Sequence, residues 1–249
     1  MTFTDVADIA RIERPEARVL AEEEFRRFAA LCGSFTEEEW ATPTDCTGWT
    51  ARDMALHVLG AGDAQASVKE FLHQFVRGVP INRQIDSHHW VDGINELQIR
   101  ERRELTNDEL VARLETVGPK AVAGRWSTPA PMRHLPLPIV APVGWKGLWY
   151  LLDVGFTRDV WAHRIDLCAA TGRSLESTAA HDGRLVADLL AEWAEIYPDP
   201  FEIVLTGPAG GTFTQGIGGE HVEIDAVEFV RTLCGRRPGA GVLSHPLPL

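Results

Sequence analysis

The chain has 249 residues, of which 45% are hydrophobic and 24% charged, and its formal net charge is −12. This composition is typical of a soluble globular protein, and the length is sufficient for one large domain or two smaller ones. Because the chain is acidic and has no long basic run, its charge opposes binding to nucleic acid or to anionic lipid. We therefore expect neither as a partner.

The sequence also argues against export and against disulfide bonds. The first twenty residues lack the basic and then apolar pattern of a secretory signal, and no run of about 18 apolar residues is present to span a membrane. Four cysteines are scattered without C-x-x-C spacing: Cys32, Cys46, Cys168 and Cys234. We expect a cytoplasmic protein with free thiols.

Helical spacing of apolar residues dominates the first two-thirds of the chain. One long helix is predicted from Thr50 to about Val76, since Thr50 is a favourable N-cap and Asp53 completes a variant of the capping box. Another is predicted to end at Gly172, a favourable C-cap. In chain order, the helices predicted here cover residues 15–35, 50–76, 87–105, 106–117 and 144–172.

The pattern changes after residue 173. One more helix is followed by short strand-like runs separated by glycines, and then by a final helix. These segments cover residues 181–198, 201–207, 212–219, 221–226 and 226–235. The sequence therefore predicts an α+β protein, with a helical bundle over residues 1–173 and a small α/β domain over residues 174–249.

His57 lies among apolar residues of the second predicted helix, where an unpaired imidazole would be costly. Asp53 lies one turn earlier on the same side, and its carboxylate is a candidate to accept the ring N–H and fix the tautomer. A single histidine in an apolar helix is more often a core residue bonded to a carbonyl, so this position alone does not establish a site.

A second histidine lies in "TRDVWAHRIDL", residues 157–167. Asp159 and His163 are four residues apart, which places a carboxylate and an imidazole on one helix face. Together with His57 they would supply three ligands and leave an open position, as a catalytic divalent metal requires, and helical bundles build such sites from facing helices. The alternative is a surface ion pair, which is the commoner outcome of this spacing.

Three segments resemble the mycothiol-dependent maleylpyruvate isomerase family. "WATPTDCTGWTARDMALHVLG" (residues 40–60) is similar to its opening motif, and "TRDVWAHRIDL" to its second motif. "GGEHVEIDAVEFVRTLCGRRP" (residues 218–238) is similar to its C-terminal unit. The resemblance implies a DinB-like four-helix bundle followed by a small sterol-carrier-like α/β domain.

The same resemblance implies a divalent metal, taken as zinc, held by His57, Asp159 and His163, and the low-molecular-weight thiol mycothiol as second cofactor. This chain has aspartate where the family's characterised isomerase has glutamate. The side chain is one methylene shorter, which leaves open a looser site, a different metal or an empty site.

The activity implied by the resemblance is cis–trans isomerisation of maleylpyruvate-like acids, or transfer of the thiol to an electrophile. An acidic substrate needs polar partners, and the candidates are Arg236, Arg237 and Asn95, with Arg100 in addition. Cations after a helix end and solvent-facing polar residues are the alternative interpretation. Two other functions stay open: a non-catalytic ligand-binding or regulatory protein, and a metal-dependent hydrolase.

Overall fold

The computed structural model describes residues 2–85, 91–139 and 141–247. Contacts within the chain group it into two compact units. The helical unit consists of Arg14–Leu135 and Leu148–Ser174, and the mixed unit consists of Met1–Glu13, Pro136–Gly147 and Leu175–Leu249. The sequence assigned the first 173 residues to the bundle, whereas the structure groups two short stretches of that region with the C-terminal residues.

Helices make up most of the described chain. In order they are α1 (Arg14–Cys32), α2 (Glu37–Trp40), α3 (Ala51–Ala66), α4 (Val68–Gly78), α5 (Asn82–Ile85), α6 (Asp92–Arg102), α7 (Asn107–Ser127), α8 (Ala130–Arg133), α9 (Leu148–Tyr150), α10 (Phe156–Thr171), α11 (Arg184–Ile196) and α12 (Ala226–Leu233). Wider π-type turns lead directly into α10 and α11, at Leu151–Gly155 and Ala179–Gly183. Among the described residues, no helix combines the length and the apolar character that a bilayer crossing requires.

The core of the helical unit lies between four helices, α1, α3, α7 and α10, which pack against one another around it. Each contributes an apolar stripe, and the fully buried side chains include Phe28, Met54, Leu56, Leu110, Leu114 and Leu167. Burial of such a side chain contributes about 1.5–3 kcal/mol relative to exposure. The helices α4 and α6 form a further layer, since both pack against α3 and against each other.

Helix ends follow the local chemistry that the sequence predicted. Thr50 caps α3, with its hydroxyl accepting the N–H of Asp53 while the Asp53 carboxylate accepts the N–H of Thr50. Thr106 caps α7 in the same way with Glu109. Gly172 ends α10 in the left-handed conformation, at φ 71°, which glycine adopts without strain.

The single long helix predicted over residues 50–76 is wrong. Ser67 leaves the helical conformation, with φ −145° and ψ 118°, so it ends α3 and begins α4. Its hydroxyl accepts the N–H of Glu70, which satisfies one of the free donors at the start of α4. The chain folds back at this point, and this brings the Gln74 side chain of α4 to the Gly60 carbonyl of α3.

Two other predicted helices differ at their starts. The one predicted over residues 87–105 is observed as α6 from Asp92, while residues 86–90 lie outside the described chain. The one predicted over residues 144–172 begins at Leu148, because Trp145–Gly147 forms a strand, β3, instead. That strand pairs antiparallel with β2 (Pro136–Pro138).

The mixed unit contains a four-stranded sheet flanked by α11 and α12. Its strands are β1 (Thr4–Asp5), β4 (Phe201–Thr206), β5 (Gly211–Gln215) and β6 (Glu220–Asp225), in the order β1-β5-β4-β6. The central strand β4 runs antiparallel to β5 and parallel to β6. Trp193 of α11 packs its ring against Phe201 and Phe229, which joins sheet and helices in one core. The predicted α+β fold, a helical bundle with a small α/β unit, is confirmed.

Candidate metal centre

Three side chains from two neighbouring helices meet inside the helical unit. His57 projects from α3, and Asp159 and His163 project from consecutive turns of α10. The Nε2 atom of His57 lies 3.5 Å from one Asp159 carboxylate oxygen, and the Nε2 atom of His163 lies 3.5 Å from the other. One ligand atom from each side chain lies within 4.8 Å of the other two.

These separations fit a tetrahedral metal ion. Two ligand atoms at about 2.0–2.1 Å from a tetrahedral zinc ion lie about 3.3–3.4 Å apart. The observed 3.5 Å separations, each to a different oxygen of Asp159, are close to that value, so the shorter aspartate side chain brings one carboxylate oxygen near each imidazole. Both histidines are buried, whereas the Asp159 side chain is 30% exposed, which leaves one side of the cluster open to a ligand.

The cluster favours a negative charge on Asp159. Burial raises the pKa of this carboxyl, but the two imidazoles and the Arg125 guanidinium outweigh that effect and lower it. Burial likewise lowers the pKa of His163, but the carboxylates of Asp159 and Asp166 and the Cys46 side chain hold it above its usual value. A metal ion that binds here must therefore displace a proton from His163.

His57 takes its supporting hydrogen bond from α6. Its Nδ1 atom lies 2.7 Å from Oε1 of Gln98, and both side chains are buried. The prediction that Asp53 supports this ring is wrong, because the Asp53 carboxylate accepts from the backbone N–H and the hydroxyl of Thr50. The N–H and the hydroxyl of Thr50 therefore hold the Asp53 carboxylate at the N-terminus of α3, away from the His57 ring.

A second group of potential ligands shares His163. The Nδ1 side of this ring faces the Asp166 carboxylate at 3.6 Å, and the Cys46 thiol donates to the same carboxylate at 3.9 Å. Trp49 forms a wall beside both imidazoles, with ring centroids 5.1 Å from His57 and 6.0 Å from His163. Cys46 and Trp49 both belong to the segment before α3, so this segment shapes the site along with the helices.

Residues 21–168 match the sequence profile described as the mycothiol maleylpyruvate isomerase N-terminal domain. The chain belongs to this family. The matched stretch includes the three side chains of the cluster and the segment that carries Trp49 and Cys46.

Two crystal structures share this fold over most of the chain. One is of the mycothiol-dependent maleylpyruvate isomerase, and the other is of a mutant of that enzyme with a histidine replaced by alanine. Each is 16% identical to this chain, with a TM-score of 0.57, and the match covers 94% of this chain and 93% of the other. At this identity the likeness shows the fold. No curated protein matches the chain.

No sequence pattern marks Arg125 of α7, although it lies beside the candidate metal site. It donates to the Thr157 hydroxyl at 2.9 Å and to Gln65 Oε1 at 2.6 Å. Its guanidinium lies over the Phe156 ring at 5.3 Å. A cation in this position offsets the charge of Asp159, two residues from Thr157 on α10.

The polar residues proposed to bind substrate are divided between the two units, with two on α6 of the helical unit and two after α12 of the mixed unit. Asn95 is half-buried on α6, one turn before Gln98, and Arg100 is paired on the surface with Glu96. The surface interpretation of Arg100 is therefore confirmed. A substrate-binding role for Asn95 stays a prediction.

Arg236 and Arg237 lie in the mixed unit, just after α12. Arg236 donates to the Cys234 carbonyl oxygen at 3.0 Å, and Arg237 is 3.7 Å from the Glu228 carboxylate with half of its side chain exposed. The partner of Arg236 follows the last residue of α12, and the partner of Arg237 lies in the first turn of that helix. Their role in binding an acidic substrate also stays a prediction.

Proposed function

We propose that this chain is a divalent-metal-dependent enzyme that uses a low-molecular-weight thiol, mycothiol, to isomerise a maleylpyruvate-like unsaturated acid or to transfer the thiol to an electrophile. One observation carries the proposal. His57, Asp159 and His163 converge from two helices at separations suited to one metal ion, in a chain of the mycothiol maleylpyruvate isomerase family.

The donor set is two imidazoles and one carboxylate with an open side, which is a common arrangement in catalytic zinc sites. His57 and His163 would each bind the metal through Nε2, and Asp159 through a carboxylate oxygen. The bound ion would supply the Lewis acidity that keeps a thiol ionised near neutral pH.

The remaining residues hold the three ligands and limit the space around them. Trp49 lies beside both imidazoles, and the partly exposed side chain of Asp159 is the side on which we propose that ligands approach. Arg125 balances the carboxylate charge from α7. We propose that Asn95, Arg236 and Arg237 contribute polar contacts to the acidic group of the substrate.

We also propose that the protein is cytoplasmic. All four cysteines are free in the structure, and Cys32, Cys168 and Cys234 are buried. Burial raises the pKa of the Cys168 thiol to about 11, so it stays in the unreactive protonated form. Free thiols together with a thiol cofactor fit a reducing cytoplasm.

Metal content is the direct test. The purified protein is expected to bind about one equivalent of zinc, and His57→Ala is expected to lose it. His73→Ala is the matched control, because His73 is a half-exposed histidine paired with Glu101 on the surface of α4 and α6. A wild-type protein that binds no zinc, cobalt or manganese would contradict the proposal.

Activity separates the two reactions. Isomerisation of maleylpyruvate that requires both metal and mycothiol would support the first, and mycothiol consumption with a simple electrophile would support the second. Turnover that is the same without mycothiol would overturn the thiol-dependent function, and a hydrolysed product would support the metal-dependent hydrolase instead.

A further inference from the structure

We propose that Gln98 and Gln74 form a relay of buried amides that holds a proton on Nδ1 of His57, and that this relay sets how tightly the site binds a metal. The second half of this inference rests on the proposed function; the first half does not. Gln98 and Gln74 are positioning residues, since neither contacts the common point of the three ligands.

The relay crosses three helices through short hydrogen bonds. From His57 on α3 it passes to Gln98 on α6, whose side-chain nitrogen lies 2.7 Å from Oε1 of Gln74 on α4. The Gln74 nitrogen then donates to the Gly60 carbonyl at 2.8 Å and to the Glu70 carboxylate at 2.9 Å. The Gln98 and Gln74 side chains are 4% and 1% exposed, so water is excluded from both.

The two acceptors at the Gln74 end of the relay, the Gly60 carbonyl and the Glu70 carboxylate, determine which atom donates in each hydrogen bond. A backbone carbonyl and a carboxylate only accept hydrogen bonds, so Gln74 must turn its NH2 group toward Gly60 and Glu70. Its oxygen then faces Gln98, which must present NH2 in return. The remaining oxygen of Gln98 faces His57, and Nδ1 of the imidazole must donate to it.

Glu70 remains an acceptor because it is held ionised. Burial raises the pKa of this carboxyl, but the hydrogen bond from Gln74 and the contact with Arg102 outweigh that effect and lower it. Arg102 lies 3.0 Å from Glu70 and 2.8 Å from Asp63, and it also donates to the backbone carbonyl of Gln98. The same cation therefore anchors both ends of the relay.

Gly60 makes the close approach of α3 and α6 possible. A Cβ atom at this position would lie 2.6 Å from Cβ of Gln98 and 2.7 Å from its Cγ, which is closer than side chains pack. The absence of a side chain leaves room for Gln98 beside α3, and the backbone carbonyl of the same residue accepts from Gln74. One residue thus serves both contacts.

The consequence for His57 is chemical. With the proton held on Nδ1, the lone pair of the neutral ring is on Nε2, the atom that faces Asp159. Only a nitrogen with a free lone pair binds a metal, so the relay selects the tautomer that is ready to bind. Without it, Asp159 would attract the proton to Nε2 and block that atom.

The tautomer can be measured without any metal. Long-range ¹H–¹⁵N correlation spectra of the metal-free, ¹⁵N-labelled protein distinguish protonated from unprotonated ring nitrogens, and comparison with His57→Ala assigns the ring. The wild-type protein is expected to show a protonated Nδ1. Gln98→Met is expected to shift the proton to Nε2, whereas Gln98→Glu, which still offers an acceptor, is expected to keep it on Nδ1.

Metal affinity is the second readout, with Zn²⁺ and Co²⁺ alone as probes. Gln98→Met is expected to weaken binding roughly 10–100-fold, the range measured for supporting residues of other metal sites. Gln74→Met is expected to weaken it less, and Gln98→Glu to remain within about tenfold of wild type. Gln215→Met is the control, since it removes a partly buried amide contact to the Tyr197 carbonyl in the mixed unit.

The two readouts separate the possible failures. If the wild-type protein binds no metal but Nδ1 is protonated and depends on Gln98, the proposed function fails and the relay stands. If zinc binds and Gln98→Met leaves both tautomer and affinity unchanged, the relay is overturned. If Gln98→Met does not fold, Gln98→Glu and Gln74→Met decide the question, because loss of the Nδ1 proton in Gln98→Glu would also contradict the relay.

Discussion

The imidazole rings of His57 and His163 meet edge to face, with centroids 5.1 Å apart and planes at 90°. Each ring turns Nε2 toward Asp159 and Nδ1 toward a different support, Gln98 for one and Asp166 for the other. The supports differ in kind, since one is a neutral amide and the other a carboxylate. We therefore expect the two histidines to respond differently to substitution and to pH.

Asp159 tests whether charge or side-chain length governs the site. Asp159→Asn keeps the size of the side chain but removes its charge, so it is expected to weaken zinc binding at least about 100-fold, more than the loss of a supporting residue. Asp159→Glu keeps the carboxylate and is expected to stay within about tenfold. Competition with a chromogenic chelator measures both, and equal affinity in all three proteins would show that Asp159 is not a ligand.

Zinc binding is expected to strengthen as pH rises. The raised pKa of His163 means that this ring is protonated near neutral pH in the metal-free protein, so binding releases its proton. The affinity for zinc should then rise by up to about tenfold per pH unit, because one proton is released from His163. Calorimetry in two buffers of different ionisation enthalpy measures the release directly, and a binding constant that does not change with pH would contradict the protonated state.

The metal-free protein is expected to show the opposite trend in stability. Because the folded-state pKa of His163 lies above its unfolded value, the charged ring stabilises the fold fully below about pH 6.5. That contribution is lost as pH rises through the raised pKa. Urea unfolding of the metal-free protein at several pH values measures it, with His163→Gln as the control that should lack this component.

Gly60→Ala is expected to separate α3 from α6. The added methyl group would overlap Gln98, so we expect a loss of about 1–3 kcal/mol in the free energy of unfolding and a weaker metal site. Gly62→Ala is the matched control on the same helix, because its methyl group would meet Val117 of α7 instead. Both changes should reduce stability, but only the first should change zinc affinity.

The ion pair between Glu24 of α1 and Arg164 of α10 is a stability determinant apart from the site. Its N–O distances are 2.6 and 3.1 Å, and both side chains are at most 2% exposed. Glu24→Gln is expected to cost about 3–5 kcal/mol, because a buried charge loses its counterion. Glu22→Gln removes an exposed pair with Arg18 and should cost less than about 1 kcal/mol in the same urea titration.

Much of the helical unit could be predicted because its signals are local. Helical spacing, the cap at Thr50 and the C-cap at Gly172 act within one or two turns, and the structure confirms them. Asp159 and His163 were paired by the same local rule, four residues apart on one helix. The convergence of His57 with them depends on packing between helices, which the family resemblance supplied.

The supporting residues could not be predicted from spacing. Gln98 meets His57 across 41 positions of sequence, and no periodic pattern marks such a contact. For Asp53 the local rule gave two possible partners, and the capping contact with Thr50 prevailed over the ring of His57. Asp166, three residues after His163, was the one supporting residue with a local signal.

The break at Ser67 makes the length of this junction critical. Each residue of a helix advances the chain by about 100°, so one inserted or deleted residue between Ser67 and Gln74 would turn the amide away from the interior. An insertion would bring His73 to that position, and a deletion would bring the exposed Phe75 there. Natural variation in chain length should therefore be absent from this seven-residue interval and free to occur in loops elsewhere.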